Sequence, residues 1–349
     1  MRALAPHAAR GEIELIVALP DANDAIEVPE APGLTSVVIR GVNSLPRRLL
    51  WMQFELPRLA RRVGAEVIWA PANVGPLRPK LPMIMTLQVT SAASAFAPPS
   101  LRVWWGAMTA LSRLSARSAA EVLSVSEYLR DYIIDRWGLP ATKVVTVPYG
   151  VGPPFNSVRP EAPAPVRPVP RFILYVGDFQ RHKNLPRLVH AFASLAAEFP
   201  DLSLVFAGAF IGSEVAVVRE RIESHALQDR SVMLGRVSAT ELAGLFKGAE
   251  VVIMPSLAES FGLPLLEAMA CGAAVVASNI PALKEVGGGV SLHFPPNDAA
   301  AMAREIARVL RDRELADRLR AAGPARAALY SWDRAAEETI AAFRRAAKP

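Results

Sequence analysis

The 349-residue chain has one cysteine, Cys271, which excludes an intrachain disulfide and a multi-cysteine zinc site. No apolar run approaches the roughly 20 residues that cross a bilayer, so no transmembrane helix is expected. The opening MRALAPHAARGEIELIVALPD lacks the charged-then-apolar layout of a secretory leader. These features point to a cytoplasmic setting. The chain has no Asp-x-Asp pair to serve as an acidic metal clamp and no Gly-Lys-Ser/Thr phosphate loop. Gly208-Ala209-Phe210-Ile211-Gly212 is too loose for a dinucleotide fingerprint, and the histidines show no ligand spacing. Lysine is also scarce, with six among 39 basic residues, a bias of composition rather than of function.

What is present is globular. Apolar residues make up 52% and charged residues 21%, and at roughly 150 residues per domain the length suggests two domains. Net charge is +6, and residues 40–80 carry all of it: Arg40, Arg47, Arg48, Arg58, Arg61, Arg62, Arg78 and Lys80 stand against Glu55 and Glu66. Such a local basic surface suits an anionic partner. With no aromatic-basic RNA motif and no helix-turn-helix pattern, nucleic acid is not expected. Over 47–63, Leu49, Met52, Leu56, Leu59 and Val63 form a core-facing stripe at helical spacing. Trp51, Phe54, Arg58, Arg61 and Arg62 share another face, and Trp104 and Trp105 open a second helical stretch. Aromatics mixed with arginines suit an anionic membrane surface, so 47–62 is the candidate for peripheral contact.

Eight of the 23 residues in 148–170 are proline, which blocks helix and central strand. The division that follows is an N-terminal domain over 1–157, a linker over 158–170, a C-terminal domain over 171–325 and a tail over 326–349, with Ser331 capping a last helix. Downstream, the apolar runs Phe172–Val176, Leu204–Ala207, Val232–Leu234, Val251–Met254 and Val275–Ser278 alternate with helical patterns, as parallel strands covered on both faces do. The upstream runs Glu14–Ala18, Thr35–Ile39, Val67–Ala70, Met83–Leu87, Val122–Val125 and Val144–Val147 repeat the theme, and Ser126 is placed to cap the helix beginning at Glu127. The expected architecture is α/β, with two Rossmann-like, doubly wound domains facing a cleft.

Two segments carry chemistry. In Glu259-Ser260-Phe261-Gly262-Leu263-Pro264, Pro264 suits a first helical turn, leaving the N–H groups of Phe261, Gly262 and Leu263 as a positive helix end for phosphate. Glu259 and Glu267 border that end; a carboxylate there can accept both hydroxyls of a ribose. In Tyr175-Val176-Gly177-Asp178-Phe179-Gln180-Arg181-His182-Lys183, Gly177 allows close backbone approach, and Arg181 and Lys183 supply cations for a diphosphate leaving group.

VGDFQRHKNL, VMLGRVSATELAGLFKGAEVVIMPS, ESFGLPLLEAMACGAAVVASNIPALKEV and YSWDRAAEETI, with the Glu-x7-Glu of Glu259 and Glu267, resemble the retaining glycosyltransferases of family 4. The resemblance covers most of the chain and is densest over 171–296. It implies the two-domain GT-B fold and a metal-independent hexosyl transfer, without a cofactor, from a nucleotide-diphosphate sugar. The phosphate loop favours GDP-mannose over a UDP-sugar. A saccharide or lipid-linked acceptor of envelope or exopolysaccharide synthesis is implied as the second substrate. Glu259 would contact the donor sugar, and Ser260 through Leu263 its phosphates. Glu267 would hold the ribose, Lys183 with Arg181 or His182 the diphosphate, and the backbone of Gly235–Val237 the base. Glu285 falls in the donor-side motif without an assigned role. Family members begin with a strand, a Gly-rich loop and a helix; Met1–Ala8 resembles only the end of that helix, so the first strand is expected to be missing. Family members also have His then Asp after Met83–Leu87, where this chain has Gln88-Val89. Gln88 could still contact the donor sugar but carries no charge, which leaves an alternative: a catalytically impaired module that binds nucleotide sugars.

Overall fold

The computed structural model describes residues 1–21, 28–88, 99–156 and 164–348. Val89 and the first part of the proline-rich linker lie outside the described residues. The first half of the chain runs through α1 (Ala5–Ala9), β1 (Leu15–Pro20), β2 (Leu34–Ile39), α2 (Leu45–Phe54), α3 (Leu56–Arg62), β3 (Ile68–Ala70), β4 (Met83–Leu87), α4 (Pro99–Ser118), β5 (Glu121–Ser124), α5 (Glu127–Trp137) and β6 (Val144–Thr146). The second comprises β7 (Phe172–Val176), α6 (Leu185–Glu198), β8 (Ser203–Ala207), α7 (Glu214–Ser224), β9 (Ser231–Gly235), α8 (Ala239–Gly248), β10 (Val251–Met254), α9 (Leu263–Ala270), β11 (Val275–Ser278), α10 (Pro281–Gly287), β12 (Leu292–Phe294), α11 (Ala299–Arg311), α12 (Arg313–Ala327) and α13 (Trp332–Ala347).

The C-terminal sheet is parallel, in the order β12-β11-β10-β7-β8-β9. Its central strands are buried along their whole length, which is why their sequences are unbroken apolar runs. From β7 the chain winds outward through β8 and β9, then returns to place β10 on the other flank of β7. The direction of winding therefore reverses between β7 and β10, and their C-terminal ends open a crevice of the kind in which α/β sheets hold ligands.

The N-terminal strands are all parallel but fall into two groups, a β1-β2 pair and the sheet β3-β4-β5-β6. Among the described residues no strand joins β1 to β3. Instead Leu4, Ile13, Leu15 and Trp69 pack with Ala336 and Ile340 of α13. The same helix lays Ala342 against Ile84 of β4 and Leu123 of β5, and Arg345 pairs with Glu121. One apolar cluster is continuous from Met83, Met85 and Val122 of one sheet to Phe172, Val252 and Val275 of the other.

The single helical stripe expected over 47–63 is two helices. Pro57 has no N–H and its ring crowds the preceding turn, so α2 stops at Phe54 and α3 restarts with proline in its first turn. The core-facing stripe is shallower than expected: Leu49, Met52, Leu56 and Leu59 are half-buried, and Val63 is exposed. Leu50 and Phe54 are 60% and 59% exposed, joined on α4 by Leu101, Val103 and Trp104. Gly75 O ties the two helices together, accepting from Gln53 Nε2 on α2 and Ser115 Oγ on α4.

Candidate functional site

The loop after β7 is built on bare backbone. Gly177 has φ +143, and a Cβ there would lie 2.8 Å from the Tyr175 hydroxyl; one on Gly208 would meet Gly177 O at 2.2 Å. Only glycine permits this approach of the β7 and β8 ends. Gly177 N donates to Ala207 O and Gly208 N to Gly235 O, so the floor extends to the end of β9, two residues before Val237. Gly208 belongs to the stretch that sequence reasoning set aside, and its positive φ gives it a place in this floor.

The chain then makes a single tight turn over Arg181–Lys183. Asn184 follows in the left-handed region at φ +62, a conformation that asparagine tolerates. Its side-chain Nδ2 donates to Pro255 O at 3.0 Å and Pro296 O at 2.8 Å, and Leu257 N donates to His182 O at 2.7 Å. These bonds fasten the loop after β7 to the loop after β10. The fastening places Lys183 Nζ 2.7 Å from Glu259 Oε1, with both side chains largely buried, at 16% and 13% exposure. Ser256 Oγ donates to the same carboxylate oxygen at 2.7 Å. Sequence reasoning assigned Lys183 and Glu259 to different parts of a ligand; the structure adds that they are direct partners and that Ser256 orients the carboxylate.

The other two cations behave differently. Arg181 is 56% exposed and turns toward Glu214 Oε1, 3.6 Å away. Burial, with the Lys183 ammonium beside it, pushes the His182 imidazole down to about 4. At neutral pH His182 is therefore uncharged and can serve only as a hydrogen-bonding group.

Glu259 leads through Ser260 and Phe261 to Gly262, whose φ of +104 starts α9. The first N–H groups of a helix have no acceptor within it, and the helix dipole adds positive potential there. Phe261 is 3% exposed, its ring edge-on to Tyr149 at 5.4 Å and to Tyr330 at 5.7 Å. Its backbone can face the crevice, while its side chain anchors the loop where the chain crosses between domains. On the second turn of α9, burial raises the Glu267 carboxyl to about 7. Gly177, Lys183, Glu259 and Gly262 thus belong to two tied loops at one switch point, and Glu267 lies on the helix that leaves the second of them.

Gln88 follows β4 in the other domain. Its Nε2 donates to Pro71 O at 2.7 Å and its backbone N–H to Asn73 Oδ1 at 2.8 Å, so the carboxamide is held by its own domain. Cys271, half-buried at the end of α9, approaches Phe155 O at 3.4 Å, and burial pushes its thiol up to about 12, which makes it inert.

Known proteins match both halves of the chain. The family described as Glycosyltransferase Family 4 matches residues 1–153, and that described as Glycosyl transferases group 1 matches residues 161–326. Among curated relatives, the O-antigen chain mannosyltransferase B of Escherichia coli is 32% identical over 238 residues, covering 66% of this chain and 62% of that protein. The serotype-specific mannosyltransferase WbdA of the same organism is 28% identical over 235 residues, 65% of this chain and 29% of its own length. The aligned region thus spans less than two thirds of either relative. Among solved structures, sucrose-phosphate synthase from Thermosynechococcus elongatus superposes with TM-score 0.78 over 99% of this chain and 91% of its own, at 22% identity. The Anabaena HepE protein in complex with UDP and glucose gives TM-score 0.69 over 89% and 86%, at 17% identity. The shared architecture is GT-B.

Proposed function

Since the chain belongs to glycosyltransferase family 4, we propose that it moves a hexose, of the mannose type, from a nucleotide-diphosphate sugar to a saccharide or lipid-linked acceptor in polysaccharide synthesis, with retention at the anomeric carbon. The observation that carries the reading is the buried Lys183–Glu259 pair at the mouth of α9, formed where the winding of the sheet reverses. The mannose-type sugar is supported by the names of the two relatives described above, both mannosyltransferases.

In this reading the donor diphosphate lies over the bare backbone of Gly177 and against the N–H groups of Phe261, Gly262 and Leu263. Lys183 faces a growing negative charge as the bond from the anomeric carbon to phosphate breaks. Its ammonium, already held by Glu259, needs little reorganisation to meet that charge, and preplaced charge is what lowers such a barrier. Glu267 in its ionised form accepts the two ribose hydroxyls. Glu259 accepts from a sugar hydroxyl while Ser256 fixes its orientation. The acceptor hydroxyl attacks from the face the phosphate leaves, and its proton passes to the departing phosphate oxygen. Charge neutralisation thus rests on Lys183 and the helix dipole rather than on a metal ion. Ser260, Gly235 and Val237 border the donor through backbone groups.

Exposed Leu50 and Phe54, on the same helix pair as Arg47, Arg48, Arg58, Arg61 and Arg62, and the exposed Val103 and Trp104 of α4 support peripheral contact with an anionic membrane, on the cytoplasmic side. No described helix is long and apolar enough to cross a membrane. Isothermal titration with GDP, UDP and ADP tests the donor assignment without knowledge of the acceptor: saturable binding of GDP above the others supports it, and equal indifference to all three counts against it.

A further inference from the structure

The N-terminus of α5 carries three first-turn N–H groups, and their acceptors come from both domains. Ser126, fully buried, caps Leu129 N with its own Oγ at 3.0 Å. The N–H groups of Glu127 and Tyr128 instead donate to the two carboxylate oxygens of Glu285, each at 2.9 Å. Glu285 sits on α10 of the other domain, 158 and 157 residues further along the chain. A carboxylate at a helix N-terminus satisfies both orphan donors and meets the positive end of the dipole.

The same helix end reaches the donor loop. Ser126 Oγ also donates to Ser260 O at 2.6 Å, one residue from Glu259. Behind Glu285, Arg326 Nη2 donates to its backbone carbonyl at 2.6 Å and Arg326 Nε to Val286 O at 3.1 Å. Tyr330, next to Arg326 in space, packs on Phe261 of the donor loop. Two residues beyond Arg326 the chain enters the connection to α13, which returns to the N-terminal sheet. Glu285 therefore touches the second domain with its side chain and the returning chain with its backbone. It also lines an open cleft of about 450 Å³ shared with Tyr128 and Tyr132, so water can replace its partners when the contact breaks.

We propose that Glu285 and Ser126 form an interdomain latch: the carboxylate and the hydroxyl grip the start of α5 and couple the state of the donor loop at Ser260 to closure of the two domains. Glu285 is thus a positioning residue, not one that touches the donor. The proposal rests on the donor-site reading above and adds to it the route by which an occupied loop brings the acceptor domain into place. Replacing one charge-assisted bond shifts the closed-to-open ratio by roughly tenfold.

The test uses the full chain and two probes, GDP-mannose and UDP-glucose, whichever binds the wild type. Small-angle scattering gives the radius of gyration at saturation, calorimetry gives affinity, and amide exchange reports on Glu127 and Tyr128. In Glu285→Gln one acceptor oxygen becomes an amide group facing an N–H. The expected result is donor affinity weakened by no more than the same roughly tenfold, because coupling between the loop and closure is reciprocal, with a larger radius at saturation and roughly tenfold faster exchange at those amides. Ser126→Ala is expected to do the same and Ser126→Thr, which keeps the hydroxyl, to restore the compact form; this pair carries the test should Glu285→Gln not fold. Variants that bind the donor and reach the wild-type radius overturn the latch alone. A wild type that binds neither probe overturns the donor site, and the latch with it.

Discussion

Glu267 gives the sharpest quantitative test of the donor site. Burial on α9 raises its carboxyl from 4.5 to about 7, so near neutral pH it is divided between two forms. Only the ionised form can accept both ribose hydroxyls. Apparent donor affinity then scales with the ionised fraction: about one part in eleven at pH 6 and about ten in eleven at pH 8, a change of roughly tenfold. His182, with its value near 4, stays neutral throughout this window and adds no slope. Glu267→Gln should flatten the profile, weakening binding roughly tenfold to a hundredfold at pH 8 and far less at pH 6. The stability sign is opposite. The folded chain holds this proton after the unfolded chain has released it, so stability falls as pH rises from about 4.5 to about 7. The loss is about 3 kcal/mol at most, and Glu267→Gln should recover part of it above pH 7. Calorimetry should use a sugar nucleotide, because a free terminal phosphate would itself titrate near pH 6. A wild-type affinity that is flat from pH 6 to 8, or a Gln variant that keeps the slope, refutes the assignment.

Further outcomes follow from the same geometry. Lys183→Ala should weaken donor binding roughly tenfold to a hundredfold, and Glu259→Ala should lower turnover more than affinity; calorimetry beside steady-state kinetics separates the two. Gly177→Ala places a Cβ 2.8 Å from the Tyr175 hydroxyl at φ +143, and should cost on the order of 2 kcal/mol in thermal unfolding together with donor affinity. Leu50→Ser with Phe54→Ser should reduce sedimentation with anionic liposomes while leaving nucleotide binding intact; equal wild-type binding to neutral and anionic vesicles would contradict a membrane role for α2.

The strands of the C-terminal sheet were legible because burial on both faces leaves an unmistakable apolar run: Phe172–Val176, Val251–Met254 and Val275–Ser278 have the expected bounds. Helix α12 was not, and a glycine followed by proline inside it, Gly323-Pro324, disfavours helix locally. In the fold, Gly323 is where α12 meets the backbone of Met269 on α9, with no room for a Cβ, and the helix continues through the proline. β12 was too short to register. The chemistry-bearing residues stood out by type and motif, but their partnerships did not. Lys183 and Glu259 are 76 residues apart and meet only because Asn184 and Leu257 tie two loops. Ser126 was legible as a helix cap, since that bond is local; its second bond, to Ser260, depends on how the domains sit together. Glu285 could be assigned no task from sequence for the same reason.

The loops after β7 and β10 stand or fall together as one donor site. Titrating the wild type and a Lys183→Ala/Glu267→Ala double variant with GDP-mannose, UDP-glucose and ADP-glucose tests it most directly. The expected result is saturable 1:1 binding of one sugar nucleotide by the wild type and loss of most of that affinity in a double variant that still melts cooperatively. Undiminished affinity in the double variant, or no binding of any of the three by the wild type, would contradict it.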